Sequence, residues 1–267
     1  MSDFVWCADA HRCSHIVISR LRRLLATSDL LAFNVRNRDI WVAQQAAKIP
    51  AGSNVLDVGA GSAPYRSLFA HCVYRTHDFT QLKDEQLRYG RYAPIDIVSD
   101  AMAIPVPDAG FDVVLCTEVL EHVPEPIAVV RELGRIVAPG GRLILTAPLG
   151  SGIHQEPYHF YGGYTPYWYL RFLDDAGFES LSVTPNAGTL RHIAQEAIRF
   201  VRMTRPFGFV APWYGQLLWL PFWLVLSPIL VLGVPLAAKV LDRFDREQRF
   251  TVGYHVTAVR KASPPGS

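Results

Sequence analysis

Four short apolar runs in this sequence each end in a polar side chain able to hold part of a nucleoside-like ligand. Asp57 lies in NVLDVGAGS and is followed at once by Gly59, Gly61 and Ser62. A glycine carries no Cβ, so its backbone can come close to a ligand. Asp78 closes CVYRTHDF, about twenty residues beyond the glycines, where a carboxylate can accept from both hydroxyls of a ribose. Asp100 closes IDIVSD and can accept from an exocyclic amine, while Thr117 and Glu118 close FDVVLCTEV. Each group also has a plainer use. One glycine turn can serve packing alone, Asp100 can cap a helix, and Asp78 can form an Asx turn before Phe79 and Thr80. Packing does not readily produce the whole ordered set.

A second group of reactive side chains comes later. Glu121 and His122 follow the fourth run, and HQEPYHFYGGYT then supplies His154, Glu156, Tyr158, His159 and Tyr161 in one polar, aromatic loop. His154 and His159 are the candidate general bases, because an imidazole can take a proton near neutral pH. His122, Tyr158 and Tyr161 are the candidate substrate contacts. The alternative is that the histidines only hydrogen-bond the loop to its domain. No metal is expected: HQEPYH lacks the two-histidine helical spacing of HExxH, and Pro157 works against a continuous helix. Cys7, His11, Cys13 and His15 also carry metal-capable groups, but their spacing matches no usual zinc pattern.

The elements that position these residues follow from the pattern around them. Apolar runs from Asn54 onward alternate with helix-like segments, APYRSLFA after the first run and EPIAVVRELGRIVAPGG before the fifth, GRLILTAP. YTPYWYLRFLDDAGF reads as a helix ended by Gly177, ESLSVTP as a sixth strand and GYHVTAVRK as a last one. Runs this apolar need cover on both faces, which argues for an α/β fold with a mostly parallel sheet. Ligands of such sheets bind beyond the carboxyl ends of the strands, where the four polar groups fall.

VLDVGAGSAPY, the acid ending the second strand, SDAMAIPVPDAGFDVVLCTEVLEHVPEP and RIVAPGGRLILTAP together resemble the successive motifs of class I S-adenosylmethionine-dependent methyltransferases. The resemblance covers about half of the chain. It implies a Rossmann-like, seven-stranded, mostly parallel sheet with helices on both faces, whose antiparallel last strand lies between the fifth and sixth. It implies S-adenosyl-L-methionine as cofactor, with Asp57, Gly59 and Gly61 around the methionine portion, Asp78 at the ribose, and Asp100 and Ala101 at the adenine. Ser62 and Thr117 complete the expected cofactor set. The third glycine of the usual turn is here Ala63, followed by Pro64. A nicotinamide-dependent dehydrogenase shares the glycine turn and ribose acid, but GAGSAP departs from its GxGxxG and EVLEHV points to methyl transfer.

At 267 residues the chain can hold one domain with an insertion, and its formal charge of +2 gives no argument for nucleic acid. Four scattered cysteines suit a reducing compartment. Asp3 and the late arginines do not make a signal peptide, so cytoplasmic synthesis is expected. Five segments are expected: helical 1–49, with Arg20, Arg22 and Arg23 as a basic face; the methyltransferase domain, 50–188; a hydrophobic helical insertion, 189–250; the last strand, 251–262; and a disordered tail, 263–267.

The insertion raises the remaining question. No charged side chain occurs from Pro206 to Ala238. Pro212, Pro221, Pro228 and Pro235 are expected to break this run into pieces too short to cross a bilayer. A single span would also part the last strand from its sheet. A re-entrant hairpin, interfacial helices and an apolar oligomer surface remain. Trp213, Tyr214, Trp219 and Trp223, with arginines on the flank, favour membrane contact through 207–238; a homodimer patch is the alternative. The expected protein is a peripheral or monotopic methyltransferase on the inner membrane face, with a lipid-linked or poorly soluble acceptor. The reading from another class is a non-catalytic, membrane-held scaffold that binds the same cofactor.

Overall fold

The computed structural model describes residues 29–208 and 212–262. The Cys7, His11, Cys13 and His15 group, the basic face at Arg20, Arg22 and Arg23, and the 263–267 tail lie outside the described residues. Two compact units emerge: one of residues 38–188 and 247–262, the other of 29–37 and 189–246.

The first unit is the sheet. Its strands are β1 (Asn54–Val58), β2 (Val73–Asp78), β3 (Ile97–Val98), β4 (Phe111–Thr117), β5 (Val137–Pro148), β6 (Phe178–Pro185) and β7 (Gly253–Arg260). Their order is β3-β2-β1-β4-β5-β7-β6. β1 to β5 pair in parallel, and β7 runs antiparallel to both β5 and β6. This is the expected topology, last strand included.

Side chains alternate across the sheet and feed two cores. Val55, Val113, Leu115 and Ile144 point to one face, where α1 (Phe33–Ala46) contributes Val42 and Ala46. Leu56, Val58, Val114, Cys116, Leu143 and Leu145 point to the other. There α2 (Pro126–Ile136) and α3 (Pro166–Asp175) bring Val129, Leu133, Tyr169 and Leu173. Burying each such aliphatic side chain contributes roughly 1.5–3 kcal/mol, which is why strands apolar on both sides require helices on both.

Two expected helices are shorter than their sequence pattern. After β1 only a single 3-10 turn forms, Arg66–Phe69, because Ala63 adopts a left-handed backbone at φ 47° and prolongs the turn. α2 ends at Ile136 rather than at the glycines, and Val137 already belongs to β5, since Pro139, Gly140 and Gly141 do not sustain a helix.

The second unit is a helical hairpin. One arm, α4, spans Thr189–Met203, and its partner is a helical run of 32 residues, Trp213–Phe244. The run comprises α5 (Trp213–Pro228), a π turn (Ile229–Gly233), α6 (Val234–Leu241) and a closing 3-10 turn. The expectation that prolines cut it into short pieces is therefore wrong. Pro221 and Pro228 sit inside helix, and the π turn widens the spiral so that Val234 N–H donates to Ile229 O, five residues back. A π turn re-routes the bonds that a proline cannot make. At about 48 Å the run is long and apolar enough to cross a membrane.

Entry and exit of the hairpin adjoin. Thr189 N–H donates to Asp245 Oδ2 at 2.7 Å, and Arg191 N–H to Asp242 Oδ1 at 3.0 Å. The Asp29 carboxylate joins them, 2.9 Å from Lys239 Nζ and 3.4 Å from Arg191. At the far end the indoles of Trp219 and Trp223 donate to the carbonyls of Thr204 and Val201, closing the open end of α4. These two tryptophans have an internal use, unlike Trp213 and Tyr214, which stay exposed.

Candidate functional site

The carboxyl ends of β1, β2, β3 and β4 open onto one cavity of about 600 Å³, within the usual range for small-molecule sites. Asp57, Gly59, Gly61, Ser62, Asp78, Asp100, Ala101 and Thr117 all line it. So do His122 and Tyr158. Tyr161 instead donates to Pro124 O at 2.9 Å, and His154 and His159 lie behind His122, outside the lining.

Backbone geometry explains the turn after β1. Gly59 has φ 73°, and a Cβ there would fall 2.3 Å from Val119 Cγ2, so only glycine fits between the two loops. Gly61 N–H donates to Asp78 Oδ2 at 2.9 Å, and Thr80 N–H to Asp78 Oδ1 at 2.8 Å. Asp78 thus makes the Asx turn and also presents an oriented carboxylate to the cavity. Asp100 behaves alike, taking Met102 N–H on Oδ1 at 2.8 Å while bordering the same space. In both residues the plain use leaves the side chain on the cavity lining.

Asp57 is the most unusual acid. Its Oδ2 accepts from the Tyr74 hydroxyl, while Oδ1 is buried without a partner. Burial raises its pKa to about 7, against the opposing effect of Tyr74, and the nearby Asp78 adds to the rise. A donor or cationic group arriving in the cavity would satisfy that oxygen. An amino acid ammonium is such a group, so the cavity fits the methionine, ribose and adenine parts of S-adenosylmethionine on its own chemistry.

Sequence reasoning overlooked Arg38. It lies on α1 and reaches the cavity, with a 3.0 Å ion pair to Glu118. Glu118 is fixed in turn by the Thr146 hydroxyl at 2.8 Å. Burial works against the Arg38 charge, but Glu118, Tyr65 and Asp39 together outweigh it and push its pKa up. The signal was available, since Arg38 lies four residues before Val42 and so on the same side of the helix.

The loop from Ser151 to Tyr164 covers this end of the sheet. Phe160 and Tyr161 N–H donate to Glu121 O at 2.9 and 3.2 Å, and Tyr158 OH to Gln81 Oε1 at 2.8 Å. His122 Nδ1 donates to Tyr158 O at 2.5 Å. Burial pushes the His122 pKa down to about 4 and raises that of Glu121, with Glu118 adding to the latter. Burial thus disfavours the charged form of each at their 3.6 Å approach. His159 is lowered by burial and by His154.

Comparison with known proteins matches this geometry to a family. Residues 34–197 fit the model of a methyltransferase domain. The chain is 36% identical over 104 residues to a 27-O-demethylrifamycin SV methyltransferase of Amycolatopsis mediterranei, covering 36% of this chain and 38% of that protein. It is 33% identical over 119 residues to a 2-methyl-6-phytyl-1,4-hydroquinone methyltransferase of Synechocystis, covering 42% and 37%. The chain thus spans under two-fifths of the length of both relatives. It is also 26% identical over 195 residues to a ubiquinone/menaquinone biosynthesis C-methyltransferase of Photorhabdus laumondii, covering 64% and 75%. Among solved structures, a putative sarcosine dimethylglycine methyltransferase from Galdieria sulphuraria superposes with a TM-score of 0.51 at 14% identity, over 86% of each chain. A [4+2]-cyclase gives the same score at 17% identity, over 85% and 82%. At these identities the likeness is one of fold alone.

Proposed function

The chain belongs to the methyltransferase-domain family, and from that premise we propose that it methylates a poorly soluble, lipid-borne small molecule at a membrane surface, with S-adenosylmethionine as donor. The observation that carries the reading is the convergence of Asp57, Asp78 and Asp100 with the Gly59 turn on one cavity. When bound, the donor supplies an electrophilic methyl group. Asp57 and the turn hold its amino acid end, Asp78 its ribose, and Asp100 with Ala101 its base. Arg38, beside Asp57 in the lining, is suited to its carboxylate. The loop around Tyr158 excludes water and orients the acceptor, and orientation alone can supply much of the rate. Where the acceptor must lose a proton, the imidazole of His154 or His159 takes it.

Two kinds of observation support an apolar acceptor. One of the relatives is named for a phytyl hydroquinone and another for ubiquinone/menaquinone biosynthesis. The hairpin exposes Leu218, Phe222 and Val225 on one stripe of its long helix, a face suited to a lipid leaflet. Because the hairpin enters and leaves at one place, it dips into the cytoplasmic leaflet and returns. Thermal-shift titration with S-adenosylhomocysteine tests the cofactor assignment. Wild-type protein should gain several degrees at saturation and Asp78→Asn should lose most of that gain; an unmoved wild-type midpoint would sink the assignment.

A further inference from the structure

Three donors from two segments, the turn after β4 and the loop after β5, meet beside the cavity. A ring nitrogen of His122, one of His154 and a carboxylate oxygen of Glu121 all lie within 4.8 Å of one another. His122 Nε2 is itself 3.6 Å from Glu121 Oε1. Glu121 is buried, and its Oε2 has no partner. An unsatisfied buried oxygen of this kind costs free energy unless a ligand completes it.

The second observation concerns the histidine tautomers. His122 Nδ1 faces Tyr158 O at 2.5 Å, and His154 Nδ1 faces Gly152 O at 2.9 Å. A carbonyl oxygen only accepts, so both Nδ1 atoms carry the proton and both Nε2 atoms keep a lone pair. Backbone carbonyls that fix imidazoles in this way are the usual outer support of metal-binding histidines. His159 stands beside them, its ring centre 4.6 Å from that of His154. Its Nε2 meets Ser151 Oγ, whose proton is turned to Gly162 O, so this Nε2 is the donor.

We propose that Glu121, His122 and His154 form a binding site for a divalent first-row transition cation. Two imidazoles and one carboxylate suit zinc, iron, nickel or cobalt, whereas magnesium prefers an all-oxygen shell. Metal bonds of about 2.0–2.2 Å require the donors to close in from their present spacing. His154 is exposed and can make that movement. His122 also lines the cavity, so a cation bound here would adjoin the acceptor space. The role toward the acceptor rests on the methyltransferase reading; the cation site does not.

The test is calorimetry on full-length protein stripped with a chelator, titrated with zinc chloride, manganese chloride and magnesium chloride. One zinc equivalent per chain is expected, with magnesium far weaker. His154→Ala should weaken zinc binding roughly tenfold or more while leaving the melting curve of the metal-free protein in place. Cys7→Ser/Cys13→Ser should leave it unchanged, since those thiols are a separate source of metal affinity. Absence of zinc binding overturns the proposal. So does binding that survives His154→Ala, or that disappears with Cys7→Ser/Cys13→Ser. S-adenosylhomocysteine binding measured on the same metal-free protein keeps the two questions apart: loss of zinc binding with nucleoside binding intact refutes the cation site alone.

Discussion

His255 and Asp57 are buried titratable groups whose folded states respond to pH with opposite sign. His255 stacks on Trp41 with ring centres 4.8 Å apart, and its Nε2 is buried without a partner. Burial depresses its pKa from 6.5 to about 4. The unfolded chain therefore takes up a proton below pH 6.5 that the folded chain refuses. Stability is present above pH 6.5 and is lost as pH falls toward 4, by on the order of 3 kcal/mol for this residue. Asp57 runs the other way. Its raised pKa means the folded state keeps a proton that the unfolded state sheds, so stability falls as pH rises from about 4 to 7. In urea melts at stepped pH, His255→Leu should lose visibly less stability between pH 6.5 and 4 than wild type. A residual slope should persist, because burial also lowers His77 and His192. An unchanged slope would mean that His255 is solvated in solution.

At the scale of elements, the turn after β1 decides whether the cavity exists. Gly59→Ala places a methyl group against Val119 and forces a left-handed backbone on alanine. Affinity for S-adenosylhomocysteine, read by calorimetry, should fall about five- to thirtyfold, on the order of 1–2 kcal/mol. Gly59→Ala/Val119→Ala should recover the steric part and not the backbone part; full recovery would show that the conformation of Gly59 is immaterial. This turn was legible in the sequence because strand, glycines and distal acid form a local pattern with fixed spacing. The shortened 3-10 turn was not, since nothing in APYRSLFA announces that Ala63 adopts φ 47°. The cluster of Glu121, His122 and His154 was hidden for a different reason. Its members are unremarkable in their own segments and meet only because the loop after β5 folds back over the end of β4. Spacing rules see donors along one element, and His154 lies on a different one from Glu121 and His122.

For the whole molecule, the hairpin shows where reasoning from topology outperformed reasoning from propensity. The position of β7 between β5 and β6 follows from the family pattern, and it requires the insertion to return to its point of departure. The prolines gave a wrong expectation, because a proline penalty is local and a π turn can absorb it within a long helix. The exposed stripe leads to a direct experiment. With vesicles of phosphatidylcholine and phosphatidylglycerol, wild-type protein should float, and Leu218→Glu/Phe222→Glu/Val225→Glu should remain at the bottom of the gradient. That variant should keep its thermal response to S-adenosylhomocysteine, since the cavity belongs to the other unit. Wild-type protein that sediments without lipid, or a variant that floats equally well, counts against the membrane role.

The placement of β7 also sets an order of events at the ribosome. Among the described residues β6 pairs with no strand other than β7, so it stays without a neighbour until residues 253–260 have been translated. The apolar hairpin is synthesised before that strand. At about 5–20 residues per second, the greasy arms emerge seconds ahead of the piece that completes the sheet. A nascent chain would therefore expose its apolar hairpin to chaperones before its sheet, and with it the cavity unit, is complete.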